Sequence, residues 1–81
     1  MKANIEFFGV GSSMDKSMLE NLTQVVDDLA IDMEINHVSD ITEFINNRLS
    51  GIPALKINDQ IVSEGRIPSY QELRSFLEPL M

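Results

Sequence analysis

Ser12, Ser13 and Asp15 lie within four residues of one another in the run Gly9-Val10-Gly11-Ser12-Ser13-Met14-Asp15-Lys16. A serine hydroxyl becomes a nucleophile only with a base in hydrogen-bond reach, usually a histidine oriented by a carboxylate. The chain has one histidine, His37, at the end of an expected strand. If that strand runs parallel to the first, His37 shares the sheet edge of the serine loop, the edge where α/β proteins bind ligands. Against hydrolysis, no Gly-x-Ser-x-Gly elbow is present, and Asp40 is at hand to hold a surface histidine. The same residues fit a helix start better. Ser12 would accept a backbone N–H, and Asp15 would sit three positions on, at the positive end of the helix dipole. No residue is assigned a catalytic role.

Other chemistries are equally thin. The acidic pairs Asp27-Asp28 and Asp32/Glu34 come without a calcium loop or a histidine cluster, so they read as solvated surface and no metal site is expected. There is no cysteine, which removes thiolate ligands, disulfides and thiol nucleophiles together. Lys16 and Arg66 could meet an acidic ligand group, and a helix N-terminus favours anions, but Asp15 already occupies part of that field.

The elements that must position this loop are legible from periodicity. Ala3 to Phe8 is a short apolar run stopped by Gly9 and Gly11, a buried strand. From Ser13 to Ala30, Met14, Met18, Leu22, Val25, Val26 and Leu29 recur at helical spacing. Asp32 to His37 alternates as a strand with one exposed face. Asp40 with Glu43 forms a capping-box pattern before a helix whose inward stripe reads Ile41, Phe44, Ile45 and Leu49, with Gly51 as its left-handed terminator. Ala54–Ile57 and Gln60–Ser63 read as a hairpin turning at Asn58-Asp59. Ser69 with Glu72 caps a last helix facing inward through Tyr70, Leu73, Phe76 and Leu77, ended by Pro79.

The order β-α-β-α-β-β-α predicts an α/β fold. The first two strands should be parallel through a right-handed crossover, with the hairpin on the other side of the first strand. Helices then cover both faces of a four-stranded mixed sheet. Residues 1–81 make one domain, since a chain this short buries only about 60–65% of its unfolded surface. A net charge of −7 repels phosphate backbones and anionic lipid, which argues against nucleic-acid and membrane partners. No apolar stretch approaches the roughly 20 residues of a membrane span. With no export signal and no cysteine, the expected location is the cytoplasm.

Gly9, Gly11, Ser12, Asp15, the Ile52-Pro53 pair, Ile57-Asn58-Asp59 and Gly65-Arg66-Ile67-Pro68-Ser69 carry a resemblance across nearly the whole chain. The sequence resembles the small thioredoxin-like, or glutaredoxin-like, redox-active disulfide proteins of bacteria and archaea. Those read strand, Gly-x-Gly-Cys-x-x-Cys, helix, an apolar-Pro pair, hairpin, then Gly-[Arg]-x-Pro-Ser. The resemblance implies a thioredoxin-like fold and a cis bond at Ile52-Pro53. Disulfide exchange does not carry over, because both motif cysteines are absent, at Ser12 and Asp15. The Gly-Gly-Cys/Ser-Asp-Asp type of segment that glutaredoxins use near their last helix is also missing, so glutathione binding is not expected. An aspartate at position 15 also favours a natural origin for these substitutions.

Gly11, Ser12, Ser13, Asp15, Ile52 and Pro53 then form the candidate binding region. The reading is a redox-inactive accessory module that takes a protein or peptide by β-augmentation beside Ile52, with no cofactor. One alternative is a thiol-disulfide oxidoreductase or redox carrier whose native nucleophilic cysteine is replaced by Ser12. Another is a domain for a small anion or thiol metabolite. Exposed strand edges, especially Gln60–Ser63, permit dimerisation without specifying it.

Overall fold

The computed structural model describes residues 3–80. Strand β1 spans Ala3–Phe8, helix α1 Ser13–Leu29, β2 Met33–Val38, α2 Ile41–Asn46, β3 Ala54–Ile57, β4 Gln60–Glu64 and α3 Tyr70–Leu77, followed by a 3-10 turn at Glu78–Leu80. The four strands lie in the order β2-β1-β3-β4. β1 runs parallel to β2 and antiparallel to β3, and β3 runs antiparallel to β4. This is the expected α/β layout, with a mixed sheet and helices on both faces. Asn58 and Asp59 turn the hairpin with φ of 47° and 69°.

Strand alternation divides the core. Ile5, Phe7, Leu55 and Ile57 face α1 and α3, where Met18, Leu22, Val25, Leu73 and Leu77 close over them. Phe8 points to the opposite face and meets Phe44 of α2 edge-on, with ring centroids 6.1 Å apart. α1 therefore sits firmly against the sheet at the end of β1, which places its first turn at the sheet's rim.

The second helix departs from expectation. It is only six residues long and buries none of them fully. Phe44 carries its contact with the sheet, while Ile41 and Ile45 face outward. Asp40 caps the N–H of Thr42 at 2.8 Å rather than forming a box with Glu43. The left-handed residue that follows is Arg48, at φ 54°, not Gly51. Gly51 serves a different need: a Cβ there would lie 3.0 Å from the Cα of Gly65, so the two chains approach as only glycine allows. Met14 is exposed rather than part of the inward stripe of α1. Pro79 lies inside the terminal 3-10 turn instead of ending α3.

Candidate functional site

Strand register brings three loops to one edge of the sheet. Phe8 pairs with Ala54, and Ala54 with Glu64, so Gly9, Pro53 and Gly65 follow on the next rung. The N–H of Gly65 donates to the carbonyl of Pro53 at 2.9 Å, and the N–H of Gly9 donates to Val38 at 3.1 Å. The Ile52-Pro53 bond is cis, with Pro53 buried and Ile52 half-buried. The turn before it is anchored by Glu64, whose carboxylate accepts the hydroxyl of Ser50 and its N–H at 2.9 Å. These two bonds hold the Glu64 carboxyl below its ordinary range. Gly11, Ser12, Ser13 and Asp15 thus share an edge with Ile52 and Pro53.

The loop itself is organised around Asp15. Ser12 is the N-cap of α1, and its Oγ accepts the Asp15 N–H at 3.2 Å. Asp15 Oδ2 in return accepts three successive backbone N–H groups, from Val10 at 2.6 Å, Gly11 at 2.7 Å and Ser12 at 3.1 Å. Gly11, at φ 87°, lets the chain curl so that all three amides aim at one oxygen. Asp15 is only 2% exposed, and its Oδ1 has no hydrogen-bond partner. Burial alone would raise its pKa, but the hydrogen bonds from Ser12, Val10 and Gly11 outweigh it and leave the carboxyl below its usual value.

Gly9 is what makes room for this carboxylate. A Cβ at Gly9 would lie 2.7 Å from Asp15 Cγ and 2.7 Å from Oδ2. Gly9→Ala is therefore expected to cost about 1–3 kcal/mol, the range for overpacking. In an Asp15→Ala background the same change should be nearly silent, because the crowded atoms are gone. Chemical denaturation of the four proteins of this double-mutant cycle measures both numbers.

The arrangement limits the chemistry available. Ser12 Oγ accepts a backbone proton, and no hydrogen bond joins Ser12 or Ser13 to His37 among the described residues. The His37 ring packs edge-on against Phe7, its cross-strand partner, at 5.1 Å. Among the described residues neither serine is hydrogen-bonded to a base. Three loop amides, those of Val10, Gly11 and Ser12, are already committed to Asp15 and are not open to a phosphate or carboxylate ligand. Of the two cations named for this edge, Arg66 is paired with Glu72 at 2.7 Å, while Lys16 stands exposed in the first turn of α1. No group of His, Asp or Glu among the described residues could hold a metal ion, and no described helix is long and apolar enough to cross a membrane.

Comparison with known proteins turns on this layout. The sequence profile of the family described as Thioredoxin domain matches residues 4–78. The chain belongs to the thioredoxin family. A thioredoxin from Methanocaldococcus jannaschii is 38% identical over 78 residues, covering 91% of this chain and 90% of its own length. A second, from Methanothermobacter thermautotrophicus, is 23% identical over 73 residues, covering 90% and 95%. Ser12 and Asp15, where the sequence resemblance set the absent motif cysteines, are the two residues that close the loop on itself. Sequence reasoning found that cap but missed the amides of Val10 and Gly11, whose convergence depends on the curl at Gly11. It also missed the exposed apolar side chains beside the loop, Val10, Met14 and Ile67. Helical spacing had turned Met14 inward, and a lone valine or isoleucine in a loop carries no periodicity to read.

Proposed function

We propose that this thioredoxin-family chain is a protein-binding module without disulfide chemistry. The observation that carries the reading is a chain without cysteine in which Ser12 and Asp15 cap each other, beside an edge that exposes Val10, Met14 and Ile67. Thiol–disulfide exchange requires a thiolate to attack sulfur, and no side chain here supplies one. What this edge offers instead is the exposed apolar side chains of Val10, Met14 and Ile67. An extended partner segment could pair there with exposed backbone, while its side chains meet Val10 and Ile67. The acidic surface disfavours nucleic acid as that partner.

Two measurements test the reading. In an insulin-reduction assay the protein should show no turnover above buffer; measurable turnover removes the proposal. A photo-crosslinker placed at Val10 should give a discrete adduct in extract from the source cell, while the same group at Asp27, on the outer face of α1, should not. Ile67→Glu should weaken that adduct on the order of tenfold, the effect of about 1.4 kcal/mol. Equal labelling from both positions would move the partner surface elsewhere.

A further inference from the structure

Among the described residues, Met14 is the methionine that stands open to solvent. It is 44% exposed, whereas Met18 is fully buried and Met33 is half-buried against the core. Met14 precedes Met18 by four residues, so both lie on the sheet-facing side of α1. Met18 meets the sheet there, and Met14, one turn earlier, overhangs its rim. Its backbone is held between Ser12 and Asp15, whose reciprocal hydrogen bonds fix the first turn. A thioether is an apolar side chain that an oxidant can make polar, and access to the sulfur decides which one reacts.

We propose that Met14 is a modification site for hydroperoxides, and that its oxidation weakens partner binding at this edge. The inference rests on the binding reading above and names a regulation of that same edge. In the step, the O–O bond of the peroxide breaks and its outer oxygen bonds to the Met14 sulfur. The sulfur gives up two electrons and the peroxide takes them. The proton of the transferred oxygen passes to the departing one, which leaves as water or an alcohol. The product is a sulfoxide, polar and chiral, set between Val10 and Ile67 on a surface that was apolar. Ser12 and Asp15 offer the oxidant no sulfur, so the helix start keeps its hydrogen bonds while the surface beside it changes. Methionine sulfoxide reductases, one for each epimer, reverse the change.

Brief treatment of the full chain with hydrogen peroxide, followed by trypsin, tests the site. Cleavage after Lys2 and Lys16 releases residues 3–16, in which Met14 is the sole methionine. That peptide should gain one oxygen, about 16 Da, several-fold faster than residues 17–48, which hold Met18 and Met33. Equal rates in the two peptides overturn the assignment. The effect on binding is read with the photo-crosslinker at Val10, the peroxide being removed before extract is added. Oxidised wild type should give several-fold less adduct than untreated protein at an unchanged melting temperature, and repair by both reductases should restore it. Met14→Leu, whatever its own adduct level, should not respond to peroxide, while Met33→Leu should respond as wild type does. An adduct that survives full oxidation of Met14 overturns the proposal, as does a Met14→Leu chain that still loses it. No adduct from untreated wild type would remove the binding reading itself, and this regulation with it.

Discussion

Asp15→Ala is expected to lower the melting temperature by about 8–32 °C, following a loss of about 2–4 kcal/mol at 4–8 °C per kcal/mol for a domain of this size. The change removes half of a capping box, commonly about 0.5–2 kcal/mol. It also strands the three amides of Val10, Gly11 and Ser12, now bonded to one carboxylate oxygen. Hydrogen bonds to a charged group contribute about 1.5–3 kcal/mol each, but water reaches an exposed loop and recovers part of that. Asp15→Asn keeps the shape and loses the charge, so it should fall between the two. Thermal unfolding followed by circular dichroism measures both, and an alanine variant within two or three degrees of wild type would show that water serves these amides equally well.

The same carboxylate sets a pH signature. Its folded pKa lies below the ordinary 3.8, so the unfolded chain takes up the proton first as the solution is acidified. The stabilisation is therefore complete at neutral pH, declines below the unfolded value and is gone once pH has passed below the folded one. Asp15→Asn should be less stable than wild type at pH 7, and the gap should narrow as pH falls below the ordinary 3.8. A gap that widens in acid would reverse the assignment.

Installing Ser12→Cys together with Asp15→Cys is expected to create insulin-reductase activity in a chain that has no cysteine. The thiol at position 12 would stand at the N-terminus of α1, where the dipole and free amides favour a thiolate and lower its pKa from about 8.5. It attacks one sulfur of the substrate disulfide and releases the other as thiolate. The thiol at position 15 then attacks the mixed disulfide. Two protein thiols become one disulfide while the substrate gains two electrons and two protons. Thiolate absorbance against pH should give a first pKa well under 8. A folded double variant with an ordinary thiol pKa and no turnover would mean the loop no longer holds the geometry its place in the family implies.

The fold was legible because each element carries its own punctuation. Ser12 and Ser69 announce helices, Asn58-Asp59 a hairpin, and the spacing of Met18, Leu22, Val25 and Leu29 an inward face; all are found in place. The second helix misled for a physical reason. Ile41, Phe44, Ile45 and Leu49 have helical spacing, yet the helix ends at Asn46 and a single aromatic contact sets its orientation. Periodicity tells which residues share a face, not which face meets the sheet when two are apolar. Gly51 misled similarly, since glycine marks close approach as well as left-handed backbone, and here the neighbour is Gly65. At the site, the pairing of Ser12 with Asp15 could be read locally. The burial of Asp15 could not, because it depends on Gly9 lacking a side chain and on the turn at Gly11.

A helix start built from oxygen ligands keeps one shape in reducing and oxidising surroundings alike. No thiol stands in this chain for glutathione to modify, and the sulfur nearest this loop in the sequence is the Met14 thioether, which peroxide converts to a polar sulfoxide. A partner docking beside Pro53 would therefore meet a surface that thiol–disulfide exchange does not gate.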